Sequence, residues 1–393
     1  MKKTFLFLLL AATLSLAGCS GKTDNPADTS AQYTPAPTDT TEESDKAPTD
    51  VPATPTTKPT AVPKPTATPK PTTTPTPKPT DIPVPVTPLA TFDRERTYPD
   101  NTTQTKTGYY LYNNPAPQGT VIDFTYTTKN HLKEDGKEYE KSALVYLPPC
   151  YDENDTETKY NVLYLMHGGG DSPKWFLAGA GSKSNITRMI DSMITNEEIE
   201  PMIVCAVSYY TEYSNDATQN CLNFHYELMN DVIPALETTF PTYAKEITPE
   251  GLAASRTHRA FGGFSMGAVT TWSVFEHCLN EFAYFMPMSG DCWALGMTAG
   301  SSRALQTAQH LADKVKEHGK TAEDFFIYAG CGLADIANPN LTPQINQMNT
   351  LTDTFLYCKN FANGNLYHCI VPGGHDINTV DKILYNGIPK LFH

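Results

Sequence analysis

Ser265 stands in the pentapeptide Gly263-Phe264-Ser265-Met266-Gly267, directly after the short apolar run 259–262 and before the helically spaced Ala268, Trp272, Phe275 and Leu279. A serine on a sharp strand-to-helix turn projects its hydroxyl above the edge of a sheet, and glycines two residues to either side let strand and helix approach closely. A hydroxyl is a weak nucleophile at neutral pH. It needs an imidazole base, and the imidazole needs a carboxylate to orient it. The chemistry such a set performs is acyl transfer through a covalent intermediate.

The base is expected in a loop after the last strand. His375, in Pro372-Gly373-Gly374-His375-Asp376 after the run 366–371, meets that condition. His368 lies within the strand, His277 and His225 on helical segments, and His393 at the terminus. The acid is expected after the preceding strand, where Asp335 follows 325–329 in Gly330-Cys331-Gly332-Leu333-Ala334-Asp335. Asp291, one strand earlier in Ser289-Gly290-Asp291, is its rival; Asp376 adjoins His375 too closely in sequence to orient it. An oxyanion needs two backbone N–H donors. Met266, the residue after the nucleophile, supplies one. Gly169 in His167-Gly168-Gly169-Gly170, after the run 162–166, is the candidate for the other, with His167 structural beneath the loop. Trp175 and Phe176 just beyond, and Trp293 near Asp291, could wall an acyl group or belong to the core.

These residues require a sheet whose strands end on one side. Eight strands are expected at 121–127, 142–147, 162–166, 203–208, 260–264, 283–288, 325–329 and 366–371, the first two joined through an Asp135-Gly136 hairpin signal. Helical patterns intervene at 185–196, 224–240, 266–279, 303–318, 344–355 and 380–392. Strands alternating with helices call for a mostly parallel sheet covered on both faces. With nucleophile, acid and base in that chain order, this is the α/β-hydrolase layout.

The folded region spans residues 97–393, and what precedes it reads differently. Residues 1–19 carry Lys2-Lys3, an apolar run 5–16 and Leu16-Ala17-Gly18-Cys19, an export signal ending in a lipobox that would lipidate Cys19. Residues 20–96 hold more than half of the chain's 32 prolines, with Lys-Pro-Thr repeats and almost no large apolar side chain. Such a segment buries nothing and is expected to be a disordered, extended spacer. The expected location is outside the cell, tethered by lipid to the outer face of the cytoplasmic membrane or the cell surface. A net charge of −14 without basic clusters in the folded part argues against a nucleic-acid partner. The eight cysteines besides Cys19 are scattered without a zinc spacing, which argues against a metal; Cys205, Cys278 and Cys369 sit in apolar runs and read as buried hydrophobes.

The segments His167-Gly168-Gly169-Gly170, Gly263-Phe264-Ser265-Met266-Gly267, Phe285-Met286-Pro287-Met288-Ser289-Gly290-Asp291 and Pro372-Gly373-Gly374-His375 resemble the feruloyl esterases of carbohydrate esterase family 1, as found in esterase modules of bacterial xylanases. The resemblance covers roughly residues 118–392. It implies a Ser–Asp–His triad at Ser265, Asp335 and His375, oxyanion donors at Met266 and Gly169, no cofactor, and ferulate or acetate esters of xylan as substrate. The same superfamily holds acetyl-xylan esterases, siderophore esterases, S-formylglutathione hydrolases and mycolyl transferases. An aromatic polyester, acyl transfer instead of hydrolysis, or a non-enzymatic binding module are the competing functions. A lipid-anchored spacer in place of a xylanase module favours released oligosaccharides over polymer.

Overall fold

The computed structural model describes residues 107–110, 116–358 and 364–392. The export signal, Cys19 and the Pro/Thr-rich segment lie outside the described residues.

Eight strands form one sheet: β1 (Thr120–Thr128), β2 (Tyr139–Leu147), β3 (Asn161–Met166), β4 (Met202–Val207), β5 (Arg259–Phe264), β6 (Tyr284–Met288), β7 (Phe326–Gly332) and β8 (Leu366–Val371). Their spatial order is β1-β2-β4-β3-β5-β6-β7-β8. β2 pairs antiparallel with both β1 and β4, and every other pairing is parallel. This is the mostly parallel eight-stranded α/β-hydrolase sheet with an antiparallel start. The β1–β2 connection is the loop 129–138 rather than a tight Asp-Gly turn; Gly136 N–H closes a local turn onto Lys133 O instead.

Among the described residues ten α-helices accompany the strands: α1 (Lys174–Leu177), α2 (Asn185–Thr195), α3 (Ala217–Glu227), α4 (Ile233–Thr239), α5 (Pro249–Ala254), α6 (Met266–His277), α7 (Ala299–Ser302), α8 (Ala304–Glu317), α9 (Asn338–Met348) and α10 (Ile377–Gly387). The central strands β3, β4, β5, β6 and β7 are buried at every position because both faces are covered. Along β3, Val162, Tyr164 and Met166 point to the face packed by α3, α6, α8 and α9. Leu163 and Leu165 point to the other, packed by α1, α2 and α10. Ser184, Asp216, Thr248 and Asp376 cap α2, α3, α5 and α10 by accepting a backbone N–H three residues on.

Two helices depart from the sequence pattern. The helix expected at 224–240 begins at Ala217 and is split by a π turn at Leu228–Val232. Pro234 has no N–H to offer the preceding turn, so the backbone widens there. The helix expected at 344–355 is instead α9, which tolerates Pro343 in its interior and ends before Asn349. The cysteines of the described residues are all unbridged, and each except Cys150 is buried.

At the N-terminal end of β5, Arg259 makes a buried two-pronged pair with Glu237 (Nε–Oε1 2.6 Å, Nη2–Oε2 2.7 Å). Tyr164 Oη and Thr242 Oγ1 donate to the same carboxylate. The network ties α4 to β3 and β5, the strands whose other ends carry the site.

Candidate active site

At the junction of β5 and α6, Ser265 takes φ 56°, ψ −115°, a strained conformation for a residue with a Cβ. Its N–H donates to Met288 O on β6 (2.9 Å), which holds the turn against the neighbouring strand. The packing explains both flanking glycines. A Cβ on Gly267 would lie 2.0 Å from Met166 O, and one on Gly263 would lie 2.4 Å from Gly267 O. Gly290 obeys the same constraint from β6, where a Cβ would sit 2.7 Å from Ser265 O.

Three loops at the C-terminal edge meet over this turn. His375 Nε2 accepts from Ser265 Oγ (2.9 Å), and His375 Nδ1 donates to Asp335 Oδ1 (2.7 Å). The Asp335 side chain is fully buried, whereas that of His375 keeps 22% exposure. Burial alone would push the Asp335 carboxyl up, but His375 and the Ala337 N–H (2.8 Å) outweigh it and hold the group below the usual carboxylate range. The Ser289 hydroxyl approaches the same carboxylate from the end of β6 and lowers it further, short of hydrogen-bond geometry. Ser289 is buried at φ 59°, a position that sequence reasoning passed over because only the fold brings it to Asp335. Asp376 caps α10 through Thr379 N–H and takes no part in orienting His375.

The loop after β3 lies beside Ser265. A Cβ on Gly168 would be 3.4 Å from Ser265 Cβ, and one on Gly169 would be 3.4 Å from Met266 Cγ. Met266 is the first residue of α6, so its N–H has no acceptor within the helix and carries the helix's partial positive charge. The Gly169 N–H likewise makes no hydrogen bond among the described residues. His167 is buried beneath, where its ring nitrogens meet Gly168 O (2.7 Å) and Ser208 Oγ (2.8 Å), and burial holds its pKa below the ordinary value. Two tyrosines after β4 brace the loop: Tyr209 Oη donates to Gly168 O (3.2 Å), and Tyr210 Oη accepts the Gly170 N–H (2.7 Å). Their proximity to the loop is a consequence of β3 and β4 being neighbours, which sequence reading did not use.

The three wall candidates and Asp291 separate. Trp175 is partly exposed and stacks flat on Phe264, whose ring lies 4.5 Å from that of His375. Phe176, one residue on, is fully buried in the core beneath and presents no open surface. Asp291 is only 3% exposed; its oxygens accept Trp293 Nε1–H (3.0 Å) and Gly300 N–H (2.8 Å), and burial raises its pKa. It is therefore engaged in holding the loop after β6 and does not bond to His375. Trp293 is half-buried against the core with its indole N–H spent on Asp291. Leu333 and Ile336, on either side of Asp335, are 68% and 76% exposed and add apolar surface beside the site.

Fold and site together define a serine hydrolase of the α/β-hydrolase class. The family described as "Putative esterase" matches residues 138–382. Endo-1,4-beta-xylanase Y of Acetivibrio thermocellus is 39% identical over 284 residues, which span 72% of this chain and 24% of the xylanase. A mutant feruloyl esterase module from Clostridium thermocellum, complexed with sinapinate, is similar at TM-score 0.64 and 35% identity, with 76% of this chain and 96% of that one covered. A ferulic acid esterase from the anaerobic fungus Anaeromyces mucronatus shares the fold at TM-score 0.53 and 18% identity, covering 75% and 97% of the two chains. The chain belongs to this esterase family, among the carbohydrate esterase family 1 feruloyl esterases, and is a carboxylic ester hydrolase.

Proposed function

We propose that the protein hydrolyses hydroxycinnamoyl esters, feruloyl esters above all, carried by xylan or its oligosaccharides. The observation that carries this reading is the pair of hydrogen bonds Ser265–His375–Asp335 set beside the Trp175–Phe264 aromatic stack. The similar module bound to sinapinate, itself a hydroxycinnamate, supports the acyl group. Ser265 Oγ attacks the ester carbonyl as His375 Nε2 takes its proton, and Asp335 stabilises the resulting imidazolium. The Met266 and Gly169 N–H groups receive the developing oxyanion. His375 then protonates the departing sugar oxygen and activates water, which releases the acid and restores Ser265. Acetyl esters, siderophores and acyl transfer to a second sugar use the same machinery and differ in what the walls accept.

The protein is further proposed to act outside the cell, lipidated on Cys19 and held off the membrane by the Pro/Thr-rich segment, as Leu16-Ala17-Gly18-Cys19 and the Lys-Pro-Thr repeats suggest. The functional test compares methyl ferulate with methyl acetate, using wild type and Ser265→Ala. A preference for ferulate, and a loss on the order of 10³-fold or more in kcat for the variant, are expected. Equal kcat/KM for the two esters would remove the hydroxycinnamoyl reading.

A further inference from the structure

Tyr209 has a second side. It braces the oxyanion loop and also lines a cleft of about 180 Å³ formed by the loop after β1, the loop after β4, and α3. The cleft carries two more tyrosines, Tyr213 and Tyr226, each 42% exposed, and the amides Gln219, Asn220 and Asn223. The amides are only partly used. Asn220 Nδ2 donates to Ser214 O (3.0 Å) and Asn223 Nδ2 to Gln219 O (2.7 Å). Neither side-chain carbonyl has a partner among the described residues.

The carboxylate that lines the cleft is already paired. Glu227 accepts from Lys141 Nζ (2.7 and 2.9 Å) and from Tyr126 Oη (2.6 Å). Asp231, behind it, meets His131 Nε2 (2.5 Å) and Thr128 Oγ1 (2.6 Å). A neutral ligand suits such a cleft, because the Glu227 charge is taken by Lys141 and the lining, apart from His131 and the exposed Lys133, is mostly amide and aromatic. It should also present both C–H faces for the tyrosine rings and hydroxyls for the amides, since a purely aromatic ligand would leave the amides unpaired. That is the chemistry of a neutral pyranose.

The geometry points to a saccharide subsite in this cleft, which holds the glycan part of the ester while Tyr209 links its wall to the oxyanion loop. The inference rests on the sugar-ester reading above and extends it to specific residues. It separates the two halves of the substrate: the acyl group against Trp175 and Phe264, the sugar against Tyr213, Tyr226 and Asn223.

The test uses the full chain. Tyr213→Ala and Asn223→Ala are each assayed with methyl ferulate and with a feruloylated arabinoxylo-oligosaccharide. Xylotetraose binding to Ser265→Ala protein, with and without Tyr213→Ala, is followed by calorimetry. The expected result is a loss of roughly 10- to 100-fold in kcat/KM for the oligosaccharide, mainly through KM, with methyl ferulate within about twofold of wild type. Xylotetraose binding should disappear with Tyr213. Equal losses on both esters, or xylotetraose binding that survives Tyr213→Ala, would overturn the subsite. If wild type fails on methyl ferulate, the acyl reading falls, while the xylotetraose measurement still decides the cleft.

Discussion

Trp175 lies flat on Phe264, with ring centroids 4.7 Å apart and planes 6° from parallel. Phe264 is the residue before Ser265, and its ring also meets the His375 imidazole at 4.5 Å. An aromatic platform is thus built into the nucleophile turn itself. Trp175→Ala should lower kcat/KM for methyl ferulate about tenfold more than for methyl acetate, since stacking contributes about 0.5–1.5 kcal/mol beyond the area buried. Because the indole also supports Phe264, both esters are expected to suffer, and the ratio of the two losses is the reading to take. A ratio near one would put the acyl wall elsewhere, with Trp293 next for substitution.

Asp335→Asn should be far more damaging to turnover than Asp291→Asn. The first removes the carboxylate that accepts the His375 Nδ1 proton, a change worth up to about 10⁴-fold in kcat. The second weakens the hydrogen bonds to Gly300 and Trp293, and its effect should appear in thermal stability and substrate affinity. Steady-state kinetics and melting curves of both variants decide the matter. Reversed severities in kcat would transfer the acid to Asp291.

Acid should destabilise the fold through histidines that do not touch the substrate. His225, His258 and His368 are each lowered to about 4: by burial and His277 for the first, by burial and Arg259 for the second, by burial for the third. In the unfolded chain a histidine titrates near 6.5. Between the two values the unfolded state binds more protons, so stability is full above about pH 6.5 and falls as pH drops toward 4. The deeply buried His368 contributes on the order of 1–3 kcal/mol, and the partly exposed His258 less because solvent screens it. Urea midpoints at pH 7.5, 5.5 and 4.5 should fall in that order, and His368→Leu should flatten part of the fall. A midpoint unchanged from pH 7.5 to 4.5 would contradict the buried neutral histidines.

Cys19→Ala should release the protein from the membrane fraction. The Pro/Thr-rich segment has almost no apolar surface with which to bind lipid, so the anchoring proposed above would rest on lipidation of Cys19. Fractionation of cells expressing each form is the measurement. A Cys19→Ala protein that still pellets with membranes would mean that the apolar run 5–16 stays attached or that another anchor exists.

The turn that presents Ser265 and the loop that carries His375 were legible in the chain because their signals are local. Ser265 needs glycines at fixed offsets for its turn, and His375 follows the last buried strand within a Gly-rich loop; both requirements are written within a few residues. The strands were legible for the same reason, the central ones as short, mostly apolar runs buried on both faces and β1 as an alternating run at the edge. The loop 129–138, the π turn ahead of Pro234 and the position of α9 were not, because turns and helix ends depend on what packs against them. Asp335 was the expected acid from its place after the penultimate strand, but the sequence left Asp291 standing as a rival, and the contact with His375 came only with the fold. Both follow a strand at the same edge of the sheet, and only the loop paths across neighbouring strands bring one of them within 2.7 Å of His375. Trp175 and Phe176 make the point most sharply. They are adjacent in the chain and alike in chemistry, yet the rotation of about 100° between neighbouring helical residues sends the first beside the site and the second into the core. Which way a side chain faces follows from helix orientation against the sheet, a property of the packed whole that no short stretch of residues contains.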